Sequence, residues 1–208
     1  MGPEQIRTAL VRQWQRIGAS VPGRDLDRWS RIPGWRNREV LAHLYVQPLL
    51  LGRFLQTAAT ATAGPPLDLT TNLSGTAGYA TLIDASAREG AAMGKVDVTS
   101  SVDRILPALM AAPLEATIVT VQGPIRLADY LVTRCVEAVV HGGDLVDPVA
   151  PDPDAQAVTA DALIAVLAAI APDRVAAARR LPPATWIDAA TGRRPAPDEL
   201  ASVLPVMS

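Results

Sequence analysis

Between Ile125 and Val146 the residues Leu127, Tyr130, Leu131, Cys135, Ala138, Val139 and Gly142 recur at intervals that only an α-helix gathers on one face. A face that apolar has to be seated against other elements. The same spacing in Ile6, Leu10, Trp14 and Ile17, ended by Gly18, predicts a first helix. Ile32-Pro33-Gly34-Trp35 reads as a turn, and a second helix is predicted from near Arg36 to about Thr60. Trp35 and Val40 stand at hydrophobic-staple spacing, and Glu39 holds the third helical position of a capping box in which Arg36 is a poor cap. Pro48 removes one backbone hydrogen bond there and predicts a kink.

The rest of the chain is punctuated by Gly and Pro. Ala63 to Gly75 is rich in Gly, Pro and Thr and predicts a loop; helices are expected over Thr76 to Ala92 and Val102 to Met110. β-Branched Thr117 to Val121 predicts a brief strand closed by Gly123-Pro124. Pro148, Pro151 and Pro153 mark a boundary, which divides the chain into residues 1–150 and a small extension over 151–208. In that extension Ala155 to Ala171 reads as an Ala/Leu helix, and the stretch with Trp186-Ile187 and Thr191-Gly192-Arg193 as a short strand and turn.

Composition agrees with a mainly α fold. Apolar residues make up 49% of 208, enough for a core without disulfide staples, yet only one Phe, three Tyr and four Trp are among them. Net charge is −2 with no basic stripe, which argues against a nucleic-acid partner. The single Cys135 excludes an intrachain disulfide and fits a reducing compartment. No secretory leader is evident, and the apolar stretch Leu44 to Leu51 is interrupted by Gln47 and Pro48 and falls far short of a membrane span. The expectation is a cytoplasmic protein without a membrane partner, monomeric or homodimeric, that acts on a small molecule.

The chain has two histidines, and both fall in predicted helices. Glu137 and His141 are one helical turn apart on the same face and can offer two ligands to one ion, while His43 comes from a separate helix whose apolar face carries Val40, Val46 and Leu50. Two imidazoles and a carboxylate suit Zn²⁺ with a position left open for water or substrate, and they suit non-haem Fe(II) equally by residue type. Asp144, one turn beyond His141, is placed to orient an imidazole or to act as an acid/base beside the metal; Glu39 is a weaker candidate for that role. The same residues also allow a plainer reading, with His43 hydrogen-bonded in the core, Glu137 paired with Arg134 and Asp144 solvated at a helix end. Cys135 lies about 200° round the helix from Glu137 and reads as a buried structural thiol. Trp14, Trp29, Trp35 and Trp186 read as core or staple residues, and Thr191-Gly192-Arg193-Arg194 lacks the glycine spacing of a phosphate loop.

Two elements carry a resemblance. Pro33-Gly34-Trp35, then Val40-Leu41-Ala42-His43-Leu44, is followed far along the chain by Gly123-Pro124, Tyr130-Leu131, Arg134, Glu137, His141-Gly142 and Asp144-Leu145. In this order and separation they resemble the mycothiol-dependent maleylpyruvate isomerase family, within the DinB/YfiT-like superfamily of metal-binding four-helix bundles. The resemblance covers about residues 6 to 150. It implies a four-helix bundle in which His43, Glu137 and His141 bind zinc, and mycothiol or another low-molecular-weight thiol as cosubstrate. It also implies a thiol-dependent isomerase or S-transferase acting on a small electrophile. The sequence departs from the family at Arg36, where Ser or Thr is usual. A larger departure is the short C-terminal part, because the family draws an active-site arginine from a larger domain there. Arg193 and Arg194 lie in that part without a motif to assign them, and Arg88 in the third helix is the candidate for a substrate carboxylate. Two other readings stand beside the enzyme: a binding protein in which the metal is structural, and metal-assisted hydrolysis with Asp144 as base.

Overall fold

A computed structural model describes residues 1–57 and 64–207. Four helices form the bundle: α1 (Pro3–Ala19), α2 (Asn37–Thr57), α5 (Val98–Ala111) and α6 (Leu127–Asp144). Each packs on two others, α1 and α2 both lying against α5 and α6. Between them run α3 (Leu69–Ser74), α4 (Ala80–Ala92), which packs on α2, and the strands β1 (Thr117–Thr120) and β2 (Gly123–Arg126). After the bundle come α7 (Pro153–Ile170), α8 (Val175–Arg179) and α9 (Pro183–Ala190).

The helix starts are chemically marked. Glu39 Oε2 accepts the backbone N–H of Arg36 at 2.7 Å, the reciprocal half of the capping box, so α2 begins as its third-position glutamate predicts despite the poor cap. Asp97 Oδ1 accepts Ser100 N–H at 3.1 Å at the start of α5, and Asp152 caps α7 ahead of Pro153. The predicted end of the second helix at Thr60 lies outside the described residues.

Leu10, Trp14 and Ile17 of α1 and Leu127, Leu131, Cys135 and Ala138 of α6 are buried as their period predicts, together with Val102 and Ile105 of α5. In α2 the core takes Val40, Leu41, Leu44 and Leu51, whereas Val46 and Leu50, expected on its apolar face, are half-buried. Gly52 lets α2 and α5 approach closely, since a Cβ there would lie 2.8 Å from Ile105 Cγ2. The C-terminal helices build a second apolar cluster, with Leu163, Leu167, Trp186 and Ile187 against Ala9 of α1 and Val139 of α6. Helix α7 is long and apolar enough to match a membrane span, with mean hydropathy 1.4, and packs here against α1, α6 and α9.

Four expectations are corrected. The predicted loop over 63–75 contains α3, whose start is capped by Asp68 accepting Thr71 N–H at 2.9 Å. Gly123-Pro124 does not end the sheet: Thr117 pairs with Arg126 and Ile118 with Ile125 across a tight antiparallel turn, and Gly123 supplies the positive φ of +127°. Trp186-Ile187 lie in α9, where Pro183 at the first turn favours helix and both side chains are buried, so no strand forms among the described C-terminal residues. Trp29 is exposed, covered on one face by the Arg36 guanidinium 4.7 Å from its ring centre, and takes no part in the core.

Candidate metal centre

Helices α2 and α6 bring His43, Glu137 and His141 together. His43 Nε2 and Glu137 Oε2 lie 2.9 Å apart, His141 Nε2 and Glu137 Oε2 3.4 Å apart. One donor atom from each of the three falls within 4.8 Å of the others. The two imidazole rings meet edge to face with centroids 4.8 Å apart. Glu137 and His141 share a face because four residues make one turn; His43 joins them because Leu41 and Leu44 anchor its helix in the core.

Each member is held from behind. Asp144 Oδ2 sits 2.9 Å from His141 Nδ1, is fully buried, and is gripped in turn by Arg193, with Nε 3.1 Å from Oδ1 and Nη2 2.9 Å from Oδ2. Arg193 reaches it because Gly192, at φ +73°, ends α9 in a left-handed turn and the Arg193 N–H closes on Asp188 O at 2.7 Å. Gln47, one turn after His43, lies with Nε2 2.9 Å from His43 Nε2, while its Oε1 accepts from Arg134 Nη1. The Arg134–Glu137 pairing of the plainer reading does not form: Arg134 serves Gln47 and stacks 4.7 Å over Tyr130. Trp35 packs beside His43 with ring centroids 5.8 Å apart and donates its indole N–H to Asp84 at 2.7 Å.

Electrostatics follow from this packing. Burial alone would raise the Glu137 carboxyl, but hydrogen bonds from His141 and His43 outweigh it and hold it well below the ordinary value. Burial lowers His43. Burial also opposes charge on His141, yet its bonds to Asp144 and Glu137 prevail and lift it to about 9. Asp144 is lowered to about 2, since its bonds to His141 and Arg193 overcome its burial.

This donor set fits a divalent cation. The amide orientation fixed by Arg134 aims N–H at His43 Nε2, so that nitrogen either accepts from Gln47 and faces the Glu137 carboxylate lone pair to lone pair, or is protonated and leaves Gln47 only the more distant Glu137 Oε2, at 3.4 Å, as acceptor. A cation between the imidazole and the carboxylate resolves the conflict.

Two cavities meet at the cluster, both touching His43, Glu137 and Ile83. One, of about 270 Å³, is lined further by His141, Trp35 and Arg193. The other, of about 340 Å³, runs along α2 past Gln47 and Phe54 to Tyr130 and Arg134. Arg88 lines neither: its Nε donates to Asp84 at 2.9 Å and its Nη2 to Gly34 O at 3.2 Å. Glu39 is spent on capping α2. Sequence reasoning missed Gln47, whose spacing from His43 was signal enough, and left Arg193 unassigned, since its reach depends on the Gly192 turn.

A helical bundle with two imidazoles and one carboxylate converging in its interior defines the class. The chain belongs to the family of the mycothiol maleylpyruvate isomerase N-terminal domain, whose model matches residues 7–146. Among solved structures it is similar to the mycothiol-dependent maleylpyruvate isomerase, at 19% identity and a TM-score of 0.56, covering 79% of this chain and 69% of that one. A histidine-to-alanine mutant of that isomerase gives 19% identity and a TM-score of 0.57 over the same shares. At this identity the likeness speaks for the fold. Among curated proteins nothing matches.

Proposed function

We propose that this protein binds a divalent metal, zinc, through His43, Glu137 and His141, and uses a low-molecular-weight thiol of the mycothiol kind to isomerise or S-conjugate a small electrophile. The observation that carries this is the meeting of three metal-ligand side chains from α2 and α6 at the junction of two cavities. Membership in the isomerase domain family supports the thiol.

Held by His43, Glu137 and His141, a divalent cation would lower the pKa of a thiol beside it, so that thiolate would be present at neutral pH. The sulfur then adds to one carbon of an electron-poor double bond, and the π electrons move to the conjugated carbonyl. Rotation about the resulting single bond and reversal of the addition give the geometric isomer and release the thiol. Protonation of the carbanion by solvent, which returns the proton lost from the thiol, would instead retain the C–S bond and give the conjugate. Trp35 and Ile83 wall the cluster with apolar surface that limits water. Asp144 holds His141 in one orientation; with both oxygens bonded and no exposure, it is a positioning residue and a poor base for hydrolysis. Arg88 braces Trp35 through Asp84 and lines neither cavity, which places it away from a substrate carboxylate at the cluster. In this reading residues 1–150 form the metal-binding bundle and 151–208 an extension that supplies Arg193.

The test is thiol-dependent turnover of conjugated electrophiles by zinc-loaded protein, abolished in His43→Ala with the helical content unchanged. Absence of product with any thiol contradicts the enzymatic reading. A structural ion is the second reading, favoured by the commitment of Arg193 to Asp144. Chelation separates them: a structural ion contributes folding free energy outright, so its removal collapses the unfolding midpoint of a protein that has no activity to lose.

A further inference from the structure

We infer that Gln47, locked by Arg134, is the hydrogen-bond donor that receives the ligating atom of the cosubstrate at the metal cluster, and that this pair keeps the cluster open to an exogenous ligand. The inference rests on the metal-site reading above and adds a residue to it.

Gln47 is 3% exposed and reaches the cluster with its amide nitrogen, 2.9 Å from His43 Nε2 and 3.4 Å from Glu137 Oε2. A side-chain amide can turn either end toward the cluster, and its oxygen would make a fourth ligand. Arg134 prevents that. Its Nη1 donates to Gln47 Oε1, and turning the amide over would set N–H against a guanidinium that is itself buried and would lose its acceptor. The end facing the cluster is therefore NH₂, which cannot coordinate. When a cation takes the His43 lone pair, this donor loses its nearest acceptor. Glu137 Oε2 is more distant and is itself one of the cluster's donor atoms. The remaining acceptor is whatever lone-pair-rich atom enters through the cavity along α2, which Gln47 and Arg134 both line. A thiolate sulfur or a carboxylate oxygen has the right chemistry, and a neutral apolar group does not. Tyr130 completes the arrangement by supporting the guanidinium from below, 4.7 Å away.

The experiment uses cobalt(II) in place of zinc in the full chain and follows the visible spectrum during titration with 2-mercaptoethanol. Wild type is expected to take up cobalt and to respond to the thiol. In Q47L, compared at full cobalt loading, the thiol-free spectrum is expected to keep its form, while half-saturation needs about tenfold more thiol, the loss of one hydrogen bond to a charged atom. Q47E keeps an acceptor for Arg134 and covers the case in which Q47L does not fold; its carboxylate is expected to occupy the cluster and abolish the thiol response. The inference is overturned if Q47L responds to thiol as wild type does, or if Q47E does. It is also overturned if the thiol-free spectrum of Q47L shifts, which would make Gln47 a direct ligand. Failure of wild type to bind cobalt would overturn the metal-site reading and this inference with it.

Discussion

Arg193 grips the carboxylate of Asp144 with two nitrogens, 3.1 Å and 2.9 Å from its two oxygens, across 49 residues of chain. Through that carboxylate the C-terminal segment reaches His141, whose Nδ1 lies 2.9 Å away. The extension is thus joined to the cluster by a continuous line of hydrogen bonds.

Loosening that line is expected to weaken metal binding without unfolding the bundle. Asp144→Asn and Arg193→Gln should each lower zinc affinity, by about 10- to 100-fold for the residue that touches the imidazole and less for the one behind it. Competition with a chromogenic chelator measures this. Equal affinity in wild type and both variants would show that the imidazole needs no support.

Acid–base behaviour of the metal-free protein is expected to carry the mark of His141. Its pKa is raised from 6.5 to about 9, so the imidazolium stabilises the fold fully below about pH 6.5, and that contribution is lost as pH climbs through 9. The urea midpoint of metal-free protein should fall across this window, and His141→Asn should flatten the slope. A midpoint that stays level from pH 6.5 to 9 in wild type contradicts the hydrogen-bonding scheme.

Cys135 is buried in the bundle core, and its thiol is pushed up to about 12 by burial, with Asp152 adding to the effect. At pH 8 only about one thiol in ten thousand would be ionised. Iodoacetamide should leave it unmodified in native protein and label it in urea, with mass spectrometry as the readout. Native labelling at a rate near that of free cysteine would place the thiol outside the core.

Much of this was legible beforehand, and the gaps have physical causes. Ile6, Leu10, Trp14 and Ile17 face inward because a helical period left no other arrangement, and the single turn between Glu137 and His141 already set two side chains on one face. The hairpin was hidden because Gly123-Pro124 reads as a terminator, although proline is tolerated at a sheet edge. Trp186-Ile187 looked like a strand because aromatic and β-branched residues favour one, whereas the apolar surface of α7 and the turn at Pro183 favour a helix there. Arg193 could not be foreseen, since its position depends on the backbone sign of Gly192 and not on a motif.

The close packing of α2 on α5 gives a stability test remote from the cluster. Gly52→Ala should destabilise by about 1–3 kcal/mol, because Ile105 Cγ2 would have to move from 2.8 Å. Gly143→Ala in α6, where the added methyl meets nothing within 4 Å, should instead gain about 0.5–1 kcal/mol of helix stability. Denaturant midpoints compare the two, and equal shifts would contradict the packing.

The central claim is tested most directly by metal content. Protein purified without added metal, desalted and analysed by mass spectrometry for elements, is expected to carry a divalent transition metal near one ion per chain, and Glu137→Gln and His43→Ala are expected to carry almost none. Wild-type protein that stays metal-free after exposure to zinc, or variants that retain the ion, would contradict it.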